Sequence, residues 1–243
     1  MAHALRARWV VVDIEGTVTP TDQVHVVLYG YARPRLASFI DEHADDVEVA
    51  SAVREVRQLA DLPEAATTAE VVAVLWGWMD EDRKATPLKT LQGRIWQQGY
   101  ASGELTTRLF PDAAPALRAW HGAGAGLAVF SSGSVAAQVA AFAHTSDGDL
   151  TGLFTGYFDT VNAGPKQEAA SYVAIAESLG AGRPGDLAFV SDVPAELDAA
   201  AAAGWQTLGA ARPGEPFADA DFGPHDVVAD LADVRVESVE ATT

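Results

Sequence analysis

A short apolar run, Trp9-Val10-Val11-Val12, is followed directly by Asp13-Ile14-Glu15-Gly16-Thr17. The run is unbroken and β-branched, which predicts a buried strand. Side chains two apart on a strand point to the same side, so Asp13 and Glu15 are expected to leave the strand end as a pair of carboxylates. Gly16 allows a sharp turn just beyond them. Ligands of open α/β sheets bind at this end of the strands, so the segment predicts a site in which a cation joins the two acids.

Strands and helices alternate from about residue 110 onward, which is typical of a parallel sheet. Buried strands are predicted at 127–130 and 187–190, further strands at 205–208 and 227–228, and a short extended stretch at 154–158. Helices are predicted at 112–122, after 131–134, at 166–179 and at 194–203.

About 90 residues separate the first strand from this alternating region, far more than the dozen or so that a crossover needs. Their periodicity predicts helices over 22–43, 45–60, 67–82 and 87–102. We therefore predict a Rossmann-like, parallel-sheet α/β core formed by residues 1–19 and 108–243, with an inserted helical cap domain at 20–107. Such a cap could cover the site and exclude water. A single, mostly helical domain with a small sheet is the alternative.

The composition limits the partners of the protein. The chain has 16 basic and 34 acidic residues, a formal charge of −18, which argues against nucleic acid and anionic membranes. It has no cysteine, so disulfides, thiol nucleophiles and Cys-ligated zinc are excluded. The apolar stretch before Asp13 is too short for a secretory signal, and no run is long enough for a membrane helix. A cytoplasmic protein is expected.

Polar residues that could meet in one site follow three of the predicted strands, and a lysine lies near a predicted helix start. They are Asp13 and Glu15, Ser131 and Ser132, Asp192, and Lys166. Each has an ordinary interpretation when it is taken alone: a Ser-Ser-Gly-Ser segment before a helix usually provides the N-cap, and a lysine at a helix start is usually solvated. The combination is more specific than any of its members, and it suits phosphoryl transfer.

Each residue type has a part in that chemistry. Asp13 could attack phosphorus to form an aspartyl-phosphate, while Glu15 protonates the leaving oxygen and later accepts a proton from water. Hydroxyl and N–H groups of Ser131 and Ser132 suit phosphate oxygens, and Lys166 adds positive charge.

A metal would complete such a site. Asp13 and Asp192 form an all-oxygen site that suits Mg²⁺, and the metal would offset repulsion between the nucleophile and the phosphate. Two further positions have open interpretations. Glu196 is either a supporting acid or a surface charge, and Arg212-Pro213-Gly214 is interpreted as a turn, with a role in closing the site as the alternative.

This set of motifs resembles the phosphohydrolases of the haloacid dehalogenase superfamily, which have an aspartate in a D-x-[DE]-G-T context and then a serine, a lysine and a late aspartate. Further segments narrow the resemblance to the enolase-phosphatase E1 family. They are Asp82-Arg83-Lys84, Leu88-Lys89-Thr90-Leu91-Gln92-Gly93, Phe130-Ser131-Ser132-Gly133-Ser134 and Gly156-Tyr157-Phe158-Asp159-Thr160, together with Glu at position 15.

The resemblance implies a Mg²⁺ enzyme of methionine salvage. Such an enzyme enolises 2,3-diketo-5-methylthiopentyl-1-phosphate and then removes the phosphate, which gives the acireductone 1,2-dihydroxy-3-keto-5-methylthiopentene. By resemblance, Asp13, Glu15 and Asp192 surround Mg²⁺, with position 15 contributing its backbone carbonyl. Ser131, Ser132 and Lys166 contact the substrate, and Lys166 joins Asp13 and Glu15 as catalytic residues.

Several alternatives stay open at this point. The base for enolisation could be Glu15, and Lys89 and Gln92 of the cap could contribute. Another capped phosphatase, acting on a small sugar or acid phosphate, is the second hypothesis. A metal-free dehalogenase would have no use for Glu15, and a receiver-type signalling module needs about half this length. The expected partner is a small phosphorylated molecule, and the expected state is a monomer.

Overall fold

The computed structural model describes residues 3–81, 83 and 85–239, so Asp82 and Lys84 of the Asp82-Arg83-Lys84 motif lie outside the described residues. The chain divides into two units, a helical unit spanning Val24–Leu105 and an α/β unit with the described residues on either side of it. The predicted cap bounds were 20 and 107. Residues 20–23 lie with the α/β unit because Thr21 N–H donates to Glu215 Oε2 and the Gln23 amide donates to the Thr106 carbonyl.

The helical unit begins with an irregular segment where one helix, 22–43, was predicted. A π-helical stretch at Gln23–Leu28 leads into α1 (Tyr29–Ala32), a 3₁₀ turn at Arg33–Arg35 and α2 (Leu36–Glu42). Pro34 lies in the 3₁₀ turn, and because it has no N–H it interrupts the helical hydrogen-bond ladder. The predicted helix is confirmed in its extent, since residues 22–42 are helical throughout, but it is not a regular α-helix along its whole length.

Regular α-helices follow the irregular segment that ends with α2. They are α3 (Val47–Leu59), α4 (Thr68–Asp80) and α5 (Thr86–Ala101). Asp46 caps α3, and Thr67 and Glu70 form a reciprocal capping box at the start of α4, which satisfies N–H groups that a helix start leaves without partners. A buried apolar core, which includes Leu36, Val56, Leu75, Leu91 and Ile95, holds the unit together.

The α/β unit is built on parallel strands. These are β1 (His3–Arg6), β2 (Trp9–Val12), β3 (Gly126–Phe130), β4 (Phe154–Phe158), β5 (Leu187–Ser191), β6 (Gln206–Ala210), β7 (Asp226–Val228) and β8 (Val234–Glu237). Within the described residues, one parallel sheet has the order β4-β3-β2-β5-β6-β7, while β1 and β8 pair separately. The predicted Rossmann-like parallel core is confirmed, and the small β1–β8 pair was not predicted.

Helices cover the faces of this sheet. They are α6 (Ala113–Gly122), α7 (Val135–Ala143), α8 (Ala169–Ser178) and α9 (Pro194–Ala202). Apolar clusters form on both faces, because alternate strand residues point to opposite sides. Val10 and Val12 pack into one cluster and Val11 packs into the other, so β2 is buried on both sides. In the part of the chain that the structure describes, no helix combines the length and apolar character needed to cross a bilayer.

Candidate active site

The strand order of the large sheet places the predicted acids in one crevice. The chain runs from β2 outward through β3 and β4, and then returns to the other side of β2 as β5. Ligands of doubly wound sheets bind beyond the carboxyl ends of the strands at such a reversal. Val12 of β2 lies beside Val129 of β3 and Val190 of β5, so the residues that follow these strands end at the same edge.

The structure brings Asp13 and Lys166 together in a buried cluster. Lys166 Nζ lies 2.6 Å from Asp13 Oδ1 and 2.7 Å from Glu196 Oε2. Ser191 Oγ donates to the same oxygen of Glu196 at 2.9 Å, and Tyr172 donates its hydroxyl to the Lys166 carbonyl at 2.8 Å. Lys166 lies in a turn before α8, which begins at Ala169, so the predicted helix start at 166 was wrong.

Burial and charge together set the protonation of this cluster. Burial acts to lower the pKa of Lys166, but the carboxylates of Asp13 and Glu196 outweigh it and raise that pKa, which keeps the ammonium charged. Burial and the negative charge of Asp13 raise the pKa of Glu196 to about 7. Burial, then Asp13 and then Glu196, raise the pKa of Asp192 to about 8. The crevice therefore holds more acid than Lys166 alone can neutralise.

The segment after Asp13 is a tight turn and not an extension of the strand. The last ladder contact of β2 is the hydrogen bond from Asp13 N–H to the Val190 carbonyl, at 2.9 Å. The N–H groups of residues 17–19 all donate to the Ile14 carbonyl. Glu15 lies half-buried in this segment, beyond the end of β2, so the strand alternation that predicts Asp13 and Glu15 on the same side does not extend to these residues.

Gly16 and Thr17 enclose the Asp192 carboxyl group. Gly16 has φ +69°, and a Cβ at this position would lie 2.1 Å from Asp192 Oδ2, so no other residue fits without displacing that acid. Thr17 Oγ1 accepts a hydrogen bond from Asp192 N–H at 3.0 Å and lies 3.5 Å from Asp192 Oδ1. The turn therefore holds both the backbone and the side chain of residue 192.

Ser131 and Ser132 follow β3, beside the end of β2. Ser131 is buried, its N–H donates to the Phe158 carbonyl at 3.1 Å, and its Oγ accepts from Gly133 N–H at 3.2 Å. Ser132 is exposed. The N-cap of α7 is Ser134, whose Oγ accepts from Ala137 N–H. The ordinary capping role in the Ser-Ser-Gly-Ser segment therefore belongs to Ser134 and not to the two predicted site residues.

The donor set at this edge fits a hard divalent cation. Asp13 and Asp192 are both buried acids, with 5% and 4% of their surfaces exposed. In the described part of the chain, no Lys, Arg or His nitrogen lies within ion-pair distance of Asp192, and no three His, Cys, Asp or Glu side chains are grouped to hold a metal by themselves. Mg²⁺ is typically held by one or two carboxylates, with water, backbone or substrate oxygens completing its shell.

Three residues that support this site were either not predicted from the sequence or had open interpretations there. Glu196, on the first turn of α9, is buried against Lys166, so its interpretation as a surface charge was wrong. Arg212 is buried and donates twice to the Thr17 carbonyl, so it is more than a turn residue. The four-residue spacing of Glu196 from Asp192 was the only available signal for it. Thr17 was marked only as the last residue of the D-x-[DE]-G-T motif, and Arg212 only as part of the Arg212-Pro213-Gly214 segment.

The parallel sheet, the reversal of strand order beside a buried Asp–Lys pair, and the helical unit inserted after β2 define the class of a haloacid dehalogenase-like hydrolase. The chain matches the haloacid dehalogenase-like hydrolase family over residues 7–204. It is 65% identical, over 98% of its length and 100% of that protein, to the enolase-phosphatase E1 of Saccharopolyspora erythraea. It is 54% identical to that of Frankia alni, over 96% of this chain and 97% of that protein. The chain belongs to the enolase-phosphatase E1 family.

Solved structures share the fold of this chain. The UTR4 protein of Saccharomyces cerevisiae superposes with a TM-score of 0.76 at 29% identity, covering 93% of this chain and 99% of that one. The L-2-haloacid dehalogenase of Xanthobacter autotrophicus shares the fold, with a TM-score of 0.54 at 19% identity, covering 93% of this chain and 96% of that one. The family and the enzyme class predicted from the sequence, a phosphoric monoester hydrolase, are confirmed.

Proposed function

We propose that this enzyme is a Mg²⁺-dependent enolase-phosphatase of methionine salvage, which converts 2,3-diketo-5-methylthiopentyl-1-phosphate to 1,2-dihydroxy-3-keto-5-methylthiopentene and phosphate. The observation that carries the proposal is the buried pair of Asp13 and Lys166 beside Asp192, in a chain 65% identical to an enolase-phosphatase E1. A cytoplasmic location and a monomeric state are part of the proposal.

In the phosphatase step, Asp13 is the nucleophile. Lys166 holds its Oδ1, and in the described residues the Oδ2 atom accepts no hydrogen bond, which leaves one oxygen for phosphorus. The new Asp13 O–P bond forms as the ester P–O bond breaks, and Glu15 donates a proton to the leaving oxygen. Water then attacks phosphorus, Glu15 accepts its proton, and Asp13 is regenerated as phosphate leaves. Ser131 and Ser132 contact the phosphoryl oxygens.

The carboxylates of Asp13 and Asp192 and the backbone carbonyl of Glu15 would hold Mg²⁺. When bound, the cation supplies positive charge that offsets repulsion between the nucleophile and the phosphate dianion and that polarises a substrate oxygen. For enolisation we propose Glu15 as the base that removes the carbon-bound proton.

A coupled assay tests this function. The diketo phosphate is supplied with Mg²⁺, and the absorbance of the acireductone is followed alongside free phosphate. The proposal expects both products from the same sample. Phosphate release from sugar or acid phosphates, with none from the diketo compound, would instead support the alternative of another capped phosphatase.

Chelation is expected to stop phosphate release completely, and added Mg²⁺ to restore it. The reason is that a carboxylate cannot approach a phosphate dianion readily without a cation between them. The measurement is initial rate after exhaustive EDTA treatment and gel filtration, with and without added MgCl₂. Ca²⁺ serves as a control, because it has the same charge but prefers longer bonds and more ligands. Activity that survives EDTA treatment would contradict the metal assignment.

Glu15→Gln is expected to lower kcat by about 10²–10⁴-fold, the usual contribution of a general acid and base. The variant keeps the backbone carbonyl proposed for the metal, so Mg²⁺ binding should change little. Rates with substrates of different leaving-group pKa measure the effect, which should shrink as the leaving group becomes less basic. Glu177→Gln, at an exposed position, is the matched control. Unchanged turnover would remove Glu15 from this role.

A further inference from the structure

Arg212 is almost fully buried, with 3% of its surface exposed, and its guanidinium group joins three distant segments of the α/β unit. Nε and Nη2 both donate to the Thr17 carbonyl oxygen, at 3.0 and 2.9 Å. Nη1 donates to Asp112 Oδ2 at 2.6 Å and to the Ala229 carbonyl at 3.2 Å. Its planar group also lies 4.5 Å from the centre of the Phe110 ring. None of these contacts involves a predicted catalytic or metal-binding residue.

The carbonyl that Arg212 holds belongs to the residue that supports Asp192. Through its hydroxyl, Thr17 accepts from Asp192 N–H at 3.0 Å, and the neighbouring Gly16 lies directly against the Asp192 carboxyl group. A shift of this turn by a few tenths of an ångström would therefore move Asp192 as well. Among the described residues, Arg212 is the only charged side chain that donates to the Thr17 carbonyl.

We propose that Arg212 is a positioning residue for the metal site, which acts through the backbone and hydroxyl of Thr17 to hold Asp192 in the orientation that binds Mg²⁺. The inference rests on the proposed function in one respect, that Asp192 is a ligand of Mg²⁺. Residues that orient metal ligands typically change metal affinity by 10–100-fold when they are replaced.

The geometry explains why arginine serves here. The planar, forked guanidinium group donates two hydrogen bonds to the Thr17 carbonyl from one side, and it donates to Asp112 and the Ala229 carbonyl from the other. Lysine has a single nitrogen at the end of a flexible chain and cannot make this set of contacts. Asp112 fixes the far end of the fork and also accepts from Leu231 N–H at 2.6 Å. Burial acts to raise the pKa of Asp112, but hydrogen bonds from Arg212 and Leu231 outweigh it and lower that pKa, so Asp112 stays ionised.

The test is Mg²⁺ binding to the full, EDTA-treated chain, measured by calorimetry without substrate. For Arg212→Lys, which keeps the charge but loses the fork, we expect Mg²⁺ to bind about 10–100-fold more weakly. Arg118→Lys is the matched control, because Arg118 also donates to a backbone carbonyl, that of Asp147, at an exposed position. Ile175→Val, a core substitution, controls for loss of stability alone. Unchanged affinity in Arg212→Lys would overturn the proposal, even if its Tm were lower.

A second set of variants tests the route through Thr17. Thr17→Val removes the hydroxyl and should weaken Mg²⁺ binding, whereas Thr17→Ser keeps it and should bind Mg²⁺ almost as the wild type does. Arg212→Lys should weaken Mg²⁺ binding much less in the Thr17→Val background than in the wild type, because the effects of substitutions at coupled residues are not additive. If the effects of the two substitutions on Mg²⁺ affinity are fully additive, the proposed action of Arg212 through Thr17 is overturned. If Arg212→Lys does not fold, Asp112→Asn releases the other end of the same guanidinium and is expected to weaken Mg²⁺ binding in the same direction.

The outcomes separate this inference from the proposed function. A wild-type chain that binds no Mg²⁺ would contradict the metal assignment itself, and this inference with it. A wild-type chain that binds Mg²⁺, with Arg212 variants that bind it equally well, would contradict the inference alone. The choice of substrate does not enter either measurement.

Discussion

Replacing Asp13 by Asn is expected to lower phosphate release by about 10⁴-fold or more, the scale seen when a catalytic nucleophile is removed. An amide oxygen attacks phosphorus poorly and is a weaker ligand for Mg²⁺ than a carboxylate. The side chain keeps its shape, and Lys166 can still donate to the amide oxygen at position 13, so the fold should survive. Phosphate release from the diketo phosphate and from a generic ester measures the effect.

The control for this variant is Asp219→Asn, which makes the same chemical change at an exposed position of the same unit. Circular dichroism and thermal unfolding establish that both variants are folded. Full activity of Asp13→Asn with either substrate would contradict the proposed mechanism, in which Asp13 is the nucleophile. A variant that still enolises the diketo compound without releasing phosphate would show that the nucleophile Asp13 is needed only for the phosphatase half-reaction, as its proposed role predicts.

Lys166→Met is expected to destabilise the protein by about 3–5 kcal/mol at neutral pH, the usual cost of removing one partner of a buried ion pair. The substitution leaves the carboxyl groups of Asp13 and Glu196 facing each other without the ammonium that separates them. Urea unfolding measures the free energy. Arg183→Met is the control, because it breaks an exposed pair with Asp186, and such pairs contribute little to stability.

The loss of stability caused by Lys166→Met should depend on pH and should increase as pH rises. Burial and Asp13 already raise the pKa of Glu196 to about 7, and loss of the lysine removes a group that lowers it. The pKa of Glu196 is near 4.5 in the unfolded chain and is raised to about 7 in the folded protein. An acid of this kind makes the folded state progressively less stable as pH rises from the unfolded pKa to the folded pKa. Unfolding at pH 5 and pH 8 should therefore show a much larger deficit at pH 8. Adding Glu196→Gln should recover part of it, and equal deficits at both pH values would contradict this account.

Much of the α/β core could be predicted because its strands carry strong local signals. β2, β3 and β5 are short, apolar and β-branched or aromatic, and each is followed at once by polar residues. Parallel strands that share an edge bring such residues together whatever the details of the loops. The helical unit was harder to predict, because Pro34 and the π-helical stretch break a periodicity that looks continuous in the sequence.

The supporting residues could not be predicted for a different reason. Glu15 was predicted on the same side as Asp13 because two-residue spacing cannot show where a strand ends, and the turn that follows β2 depends on hydrogen bonds to the Ile14 carbonyl. Lys166 was placed on a helix because the turn before α8 has no strong breaker after Pro165. Burial of Glu196 against Lys166 follows from the packing of α9 beside β5, which no single segment encodes.

Local composition and residue order were enough to predict the central strand, the acids and hydroxyls at the strand ends, and the family to which the chain belongs. How the crevice is neutralised and how its acids are held became apparent only in the folded chain. Lys166 and Asp13 are separated by 153 residues, and Arg212 and Thr17 by 195. Contacts between residues so far apart arise from the path of the folded chain, and no local pattern specifies them.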